Sequence, residues 1–320
     1  MARADILISL VKAATVNDMG SFRKAVEALI AEERTKNHRI LADRLSDLLN
    51  LQNSPQQRQM PYIQNGAKDL LFEVLPQKQL SDLVLDDEIM ATCKELIEEH
   101  HRSELLGSYG VSPRSRLLFV GPPGNGKTSL AEAVAYELMY PLLIIRYDNL
   151  IGSYLGETAS RLQKVFDIAR TRNCVLFFDE FETLGKERGD TRETGEIKRV
   201  VSSLLLQIDR MPSHAVVITA SNHPELLDRA VWRRFQIRLE LVNPTKVRIA
   251  KYLQVFQEKA GFLFKRSLEE LAHNLRGGNF AEIEEFCTDI LRQAILQRKQ
   301  DDPRDIITSR LKRWKHRYSA

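Results

Sequence analysis

A chain of 320 residues, 43% hydrophobic and 28% charged, holds enough apolar material for at least one sizeable core and excludes a disordered or collagen-like polymer. Its formal charge of +4 and pI near 8.9 make it mildly basic, too weakly to imply a nucleic-acid partner by themselves. Cys93, Cys174 and Cys287 lie far apart with no CxxC pair, no stretch approaches the roughly 18 apolar residues of a membrane span, and Met1–Leu10 lacks the apolar run of a signal peptide, so the expectation is a cytoplasmic protein without disulfides, cysteine zinc site or membrane contact.

Residues 1–50 predict an N-terminal helical adaptor of three helices. Ile6, Leu7, Leu10 and Val11, then Phe22, Val26, Leu29 and Ile30, then Leu41, Leu45, Leu48 and Leu49 recur at helical spacing, with Asp18 and Asn37 as N-cap candidates between them. Residues 51–79 are expected to be a linker, since 51–66 are rich in Gln, Asn and Pro. Across 80–243 short apolar runs alternate with helical patterns: Leu117–Val120, Leu142–Ile145, Val175–Phe178, Val216–Thr219 and Ile237–Leu241. Four of these runs lack polar alternation, as strands buried on both faces do. The fifth alternates through Arg238 and Glu240, as an edge strand does. The pattern predicts an α/β domain with a doubly wound, parallel, five-stranded sheet.

Residues 244–320 return to helical periodicity. Val247, Ile249, Ala250, Leu253 and Phe256 form one stripe; Ile283, Phe286, Cys287, Ile290 and Leu291 form another, with Gly277-Gly278 between. A last helix follows Pro303, with Ile307, Leu311, Trp314 and Tyr318 as an apolar stripe among Arg310, Lys312, Arg313, Lys315 and Arg317. That basic face suits nucleic acid or an acidic partner; the apolar stripe equally suits packing onto its neighbours.

Two motifs carry chemistry. Gly121-Pro122-Pro123-Gly124-Asn125-Gly126-Lys127-Thr128 fits G-x-x-x-x-G-K-[ST] between an apolar strand and a helical pattern. Glycines let backbone N–H groups converge on an anion at a helix start, so Pro123, Gly124, Asn125, Gly126, Lys127, Thr128 and Ser129 are candidate nucleotide-binding residues. Lys127 would reach the β- and γ-phosphates, and the Thr128 hydroxyl would ligate Mg2+. Further on, the apolar run Cys174–Phe178 ends in Asp179-Glu180. Asp179 is the second candidate for Mg2+, and Glu180 the natural base for a water aimed at the γ-phosphate.

These motifs and their order resemble the AAA family of ATPases over about residues 80–297. GPPGNGKT resembles its phosphate loop and Phe178-Asp179-Glu180 its acidic box. Ala220–Asp228 resembles its polar sensor segment, Leu227–Phe235 the segment carrying arginine fingers, and Gly278–Ile283 the second sensor segment of a helical lid. The resemblance implies that Asn222 orients water or the γ-phosphate, and that Arg233 or Arg234 reaches the ATP of a neighbouring subunit. The two are adjacent here, so which is the finger stays open. Ala281 stands where related groups carry a sensor arginine. Gly152–Glu157 resembles a protein-threading pore loop, with Tyr154 and Leu155 as the gripping residues; the charged segment Lys186–Arg192 sits where a second pore loop would.

The resemblance implies an ATP- and Mg2+-dependent ATPase, a homo-oligomeric ring of six, and a protein substrate that is remodelled or threaded. Some small bacterial members resemble partners of a separately encoded serine protease, and HExxH and GxSxG are both missing from this chain. The rival readings are a nucleic-acid-acting helper of the clamp-loader or transposition type, and a regulatory nucleotide switch.

Overall fold

The computed structural model describes residues 19–36, 70–146, 155–184 and 193–318, together with 6, 8, 9, 11, 12, 38, 42 and 46. The expected three-helix adaptor falls largely outside the described residues. Within it, helix α1 spans Met19–Thr35 and buries Val26 and Ile30 from the predicted stripe.

The described elements of the α/β region run β1 (Leu71–Val74), α2 (Asp87–His101), α3 (Ser103–Ser108), β2 (Arg116–Val120), α4 (Lys127–Leu138), β3 (Leu142–Ile145), α5 (Leu155–Arg170), β4 (Cys174–Phe178), α6 (Glu193–Asp209), β5 (Ala215–Ser221), α7 (Arg229–Trp232) and β6 (Ile237–Glu240). Helices α8 (Lys246–Ala260), α9 (Leu268–Asn274), α10 (Phe280–Leu296) and α11 (Arg304–Tyr318) follow.

The strands form one mixed sheet of six in the order β1-β3-β4-β5-β2-β6. All neighbouring pairs are parallel except β1 with β3, which is antiparallel. This corrects the expectation of five parallel strands. It also corrects the linker assigned to 51–79, because β1 lies inside it. The reason is local. Leu71 is buried in the core, but Phe72 is exposed beneath the Arg146 guanidinium, and Glu73 is buried against Arg172, which donates to both its oxygens at 3.2 Å. A buried acid in mid-strand hides the apolar pattern, and its partner lies far along the chain.

Successive side chains of the central strands enter opposite cores, as the period of two dictates. Leu117, Phe119, Val175, Phe177, Val216 and Ile218 pack with Leu96 of α2 and Leu130, Val134 and Leu138 of α4. Leu118, Val120, Leu176, Phe178 and Val217 pack with Leu162 and Phe166 of α5 and Leu204 and Ile208 of α6. Helices on both faces explain why these strands are apolar throughout. Strand β6 sits at the sheet edge and alternates buried and exposed residues, as its sequence suggests.

Helices α8 to α11 enclose a third core around Leu253, Phe264, Leu271, Ile283, Ile290 and Ile307. Leu311 and Trp314 belong to this core, and Trp314 meets Phe286 edge-on with ring centroids 5.6 Å apart. Ile307, Leu311 and Trp314 of α11 therefore form a packing surface. Among the described residues, no helix is long and apolar enough to cross a membrane.

Candidate active site

Sheet order brings three strand ends together. Strand β5 lies between β4 and β2, and all three run the same way. The phosphate loop leaves β2, Asp179-Glu180 leaves β4 and Asn222 leaves β5, so the motifs converge beyond the carboxyl ends of adjacent strands. In open α/β sheets that is where ligands bind.

The loop needs its glycines. A side chain at Gly121 would overlap the carbonyl of Leu241, and one at Gly124, where φ is +77°, would come within 2.6 Å of the Asn279 side chain. Gly126, also at positive φ, caps α4 and leaves Lys127 as its first residue. Lys127 is nearly buried and donates to the carbonyls of Gly121 at 2.7 Å and Pro122 at 2.9 Å. Desolvation lowers its pKa from the usual lysine value, against the opposing pull of Asp179 and Glu182.

The Thr128 hydroxyl donates to Asp179 Oδ2 at 2.9 Å, and Asp179 Oδ1 accepts the Glu180 N–H at 3.0 Å. A hydroxyl and a carboxylate side by side are hard oxygen donors of the kind Mg2+ uses alongside phosphates and water. Glu180 has φ of +45°, unusual for a residue with a side chain. The side chains of Glu180 and Asn222 make no hydrogen bond among the described residues. Both line a cavity of about 680 Å3 with Pro123–Ser129 and Asp179. Every predicted nucleotide-binding residue thus faces one space, together with the base and sensor candidates.

Apolar side chains also wall that cavity, Leu83, Val84 and Ile89 from residues 83–89 and Tyr252, Phe256 and Phe280 from α8 and α10. Two ion pairs tie these walls together: Arg248 with Asp86, and Lys259 with Asp82 at 2.7 Å. The C-terminal helices also touch the phosphate loop directly. The Ala281 N–H, at the start of α10, donates to the Gly124 carbonyl at 2.9 Å, and Asn279 caps that helix through a reciprocal bond with Glu282. The position without a sensor arginine is therefore a backbone contact to the loop.

Arg233 and Arg234 line a different cavity, of about 490 Å3, with Arg116, Asp209, Ala230, Phe235 and Gln236. The structure separates the two arginines. Arg234 is paired with Asp209, which also pairs with Arg116 at 3.2 Å. The Arg233 side chain is exposed and has no hydrogen bond or ion pair among the described residues. An aromatic row connects the two regions: Phe178, Phe181 and Phe235 meet edge-to-face at 6.1 and 6.3 Å, with Phe181 following Glu180 and Phe235 following Arg234.

Tyr154 and the segment 186–192 lie outside the described residues; Leu155 opens α5. Sequence reasoning missed Asp209, Glu182 and Asn243. Asn125 is buried and donates to Asn243 Oδ1 at 2.8 Å, so Asn243 helps fix the loop. None of the three belongs to a spaced motif.

Residues 117–243 match the family model described as ATPase family associated with various cellular activities (AAA). A protein of Sinorhizobium fredii described as an uncharacterized AAA family ATPase is 38% identical over 315 residues, 95% of this chain and 93% of that relative. A putative 26S proteasome regulatory subunit homolog of Methanocaldococcus jannaschii is 27% identical over 234 residues, 72% of this chain and 62% of the relative. Peroxisomal ATPase pex6 of Schizosaccharomyces pombe is 35% identical over 250 residues, 75% of this chain but only 26% of its own length.

Proposed function

The chain belongs to the AAA family of ATPases, and from that premise we propose that it works as a homo-oligomeric ring, six-fold by family resemblance, that uses ATP to remodel or thread a protein. One observation carries the oligomeric part. Among the described residues the one arginine lining the cavity that joins the phosphate loop, Glu180 and Asn222 is Arg248, which is paired with Asp86, whereas Arg233, with no ion pair among the described residues, stands in a separate cavity. A second copy is the simplest source of the missing guanidinium.

In this reading Lys127 exchanges the carbonyls of Gly121 and Pro122 for the β- and γ-phosphates of ATP. Thr128 and Asp179 hold Mg2+, which supplies charge neutralisation on the phosphate oxygens. Glu180 takes the proton from water as it attacks phosphorus, and Asn222 orients that water or the γ-phosphate. The nucleoside packs against the apolar part of the lining, which includes Val84 and Tyr252. The helices α8 to α11 act as a lid whose contact with the loop runs through Ala281 and Gly124. Arg233 of a neighbour offsets charge developing on the transferring group.

Tyr154-Leu155-Gly156 has the composition of a gripping loop, and one relative bears the name of a proteasome regulatory subunit homolog. The nucleic-acid alternative draws on α11, but there Arg310 is paired with Asp289 at 2.8 Å and Arg304 with Asp302 at 2.7 Å, leaving fewer free cations than composition suggests. The deciding experiment traps substrate on Glu180→Gln with ATP and then measures processing by Tyr154→Ala. Basal ATPase should survive while work on the trapped protein is lost, because Ala cannot replace roughly 150–250 Å2 of aromatic contact. Normal protein processing by that variant, with loss of stimulation by DNA, would favour the nucleic-acid reading.

A further inference from the structure

Glu182 belongs to none of the motifs, yet it lies between two of them. It sits on the 3₁₀ turn Phe181–Leu184 that follows the acidic pair, and it is 3% exposed. Its Oε1 accepts the backbone N–H of Asn222 at 3.2 Å. Its Oε2 is buried with no hydrogen-bond partner among the described residues. A buried carboxylate costs far more than an apolar side chain of the same size unless its position has a use.

The use follows from what surrounds Asn222. Strand β5 ends at Ser221, whose hydroxyl accepts the His223 N–H at 3.1 Å, so the backbone on either side of the sensor is tied down. At Asn222 itself the tie crosses to the turn that follows Glu180. One side chain therefore fixes the distance between the strand end holding the base and the strand end holding the sensor. The same carboxylate lies near enough to Lys127 to attract its ammonium.

We propose that Glu182 is a positioning residue for hydrolysis: by gripping the Asn222 backbone from the turn after Glu180, it holds base and sensor in register across β4 and β5. The proposal rests on the reading of Asn222 as the group facing the γ-phosphate. It assigns Glu182 no contact with ATP, so its loss should lower kcat and leave KM for ATP nearly unchanged.

The test compares two substitutions of similar size in the full-length protein. Glu182→Gln keeps a carbonyl acceptor for the Asn222 N–H; Glu182→Met fills the same space without one. Expected are kcat within about 3-fold of the parent for Gln and a loss of at least about 10-fold for Met, each with KM within about 3-fold and a Tm no lower than the parent's. Equal kcat for the two variants would overturn the proposal. If Met fails to fold, Glu182→Gln is compared with Glu182→Asp, whose shorter arm cannot span the same distance; a kcat for Asp no lower than for Gln would overturn it. In an Asn222→Ala background the step from Glu182 to Met, or to Asp where Met does not fold, should cost less than about 2-fold, because the residue it positions is gone. An undiminished loss there overturns the Glu182 proposal and leaves Asn222 in place. A normal kcat for Asn222→Ala alone defeats the reading of Asn222, and this proposal with it.

Discussion

The two cavities are built on opposite plans. The phosphate cavity has its binding groups already engaged with one another: Lys127 with loop carbonyls, Thr128 with Asp179, Asn125 with Asn243. Its two reactive candidates, Glu180 and Asn222, have side chains without a hydrogen bond among the described residues. In the arginine cavity Arg234 and Arg116 are held by Asp209, and Arg233 is exposed, with no ion pair among the described residues. The difference separates residues held by their neighbours from residues available to act, and under the proposed function it puts the acting residues of one reaction on two surfaces of the chain.

The largest expected effect sharpens that separation. Arg233→Ala should bind ATP with near-normal affinity and lose about 10³-fold in kcat, the lower range for a lost arginine finger. Equilibrium binding and steady-state ATPase measured together check this. Next in size, Glu180→Gln should retain ATP and turn over at least about 100-fold more slowly, as a lost general base requires; near-normal turnover would take the base role away.

A smaller effect concerns pH. Burial lowers the Lys127 pKa below its ordinary 10.5, so ATP affinity should weaken as pH rises through that lowered value. The weakening should begin below the usual lysine range and be missing in Lys127→Met, which calorimetry across pH can read. The linked stability runs the other way. A lysine depressed on folding favours the folded state above 10.5, and that contribution is lost as pH falls through the depressed value. The smallest effect should come from Arg234→Ala. Arg234 is 43% exposed, and an ion pair at that exposure is worth no more than about 1 kcal/mol. A modest fall in Tm with kcat within about 10-fold would fit an anchoring role. A loss in kcat equal to that of Arg233→Ala would erase the distinction between the two arginines.

What the sequence revealed depended on whether a residue's partner was near in the chain. The phosphate loop is legible because spacing alone makes the turn, with Gly121 and Gly124 at positions a side chain would overfill. The central strands are legible because helices cover both faces. Strand β1 is not, because Glu73 looks like a linker acid until Arg172 arrives beside it. The different surroundings of Arg233 and Arg234 are hidden for the same reason: Asp209, which pairs with Arg234 alone of the two, ends α6, before β5. Glu182 reads as one more acid after the acidic pair, and only the fold shows it reaching Asn222. Tertiary contact assigns these residues, and no local pattern encodes it.

The central claim is that ATP is hydrolysed between two copies, with Glu180 from one and Arg233 from the other. The most direct measurement mixes Arg233→Ala with Glu180→Gln and follows ATPase activity as a function of mixing ratio. Each variant alone should be nearly inactive. Mixed assemblies should regain activity with a maximum at intermediate ratios, because some interfaces then pair an intact base with an intact arginine. Mixed assemblies shown to form yet inactive at every ratio would contradict action between subunits.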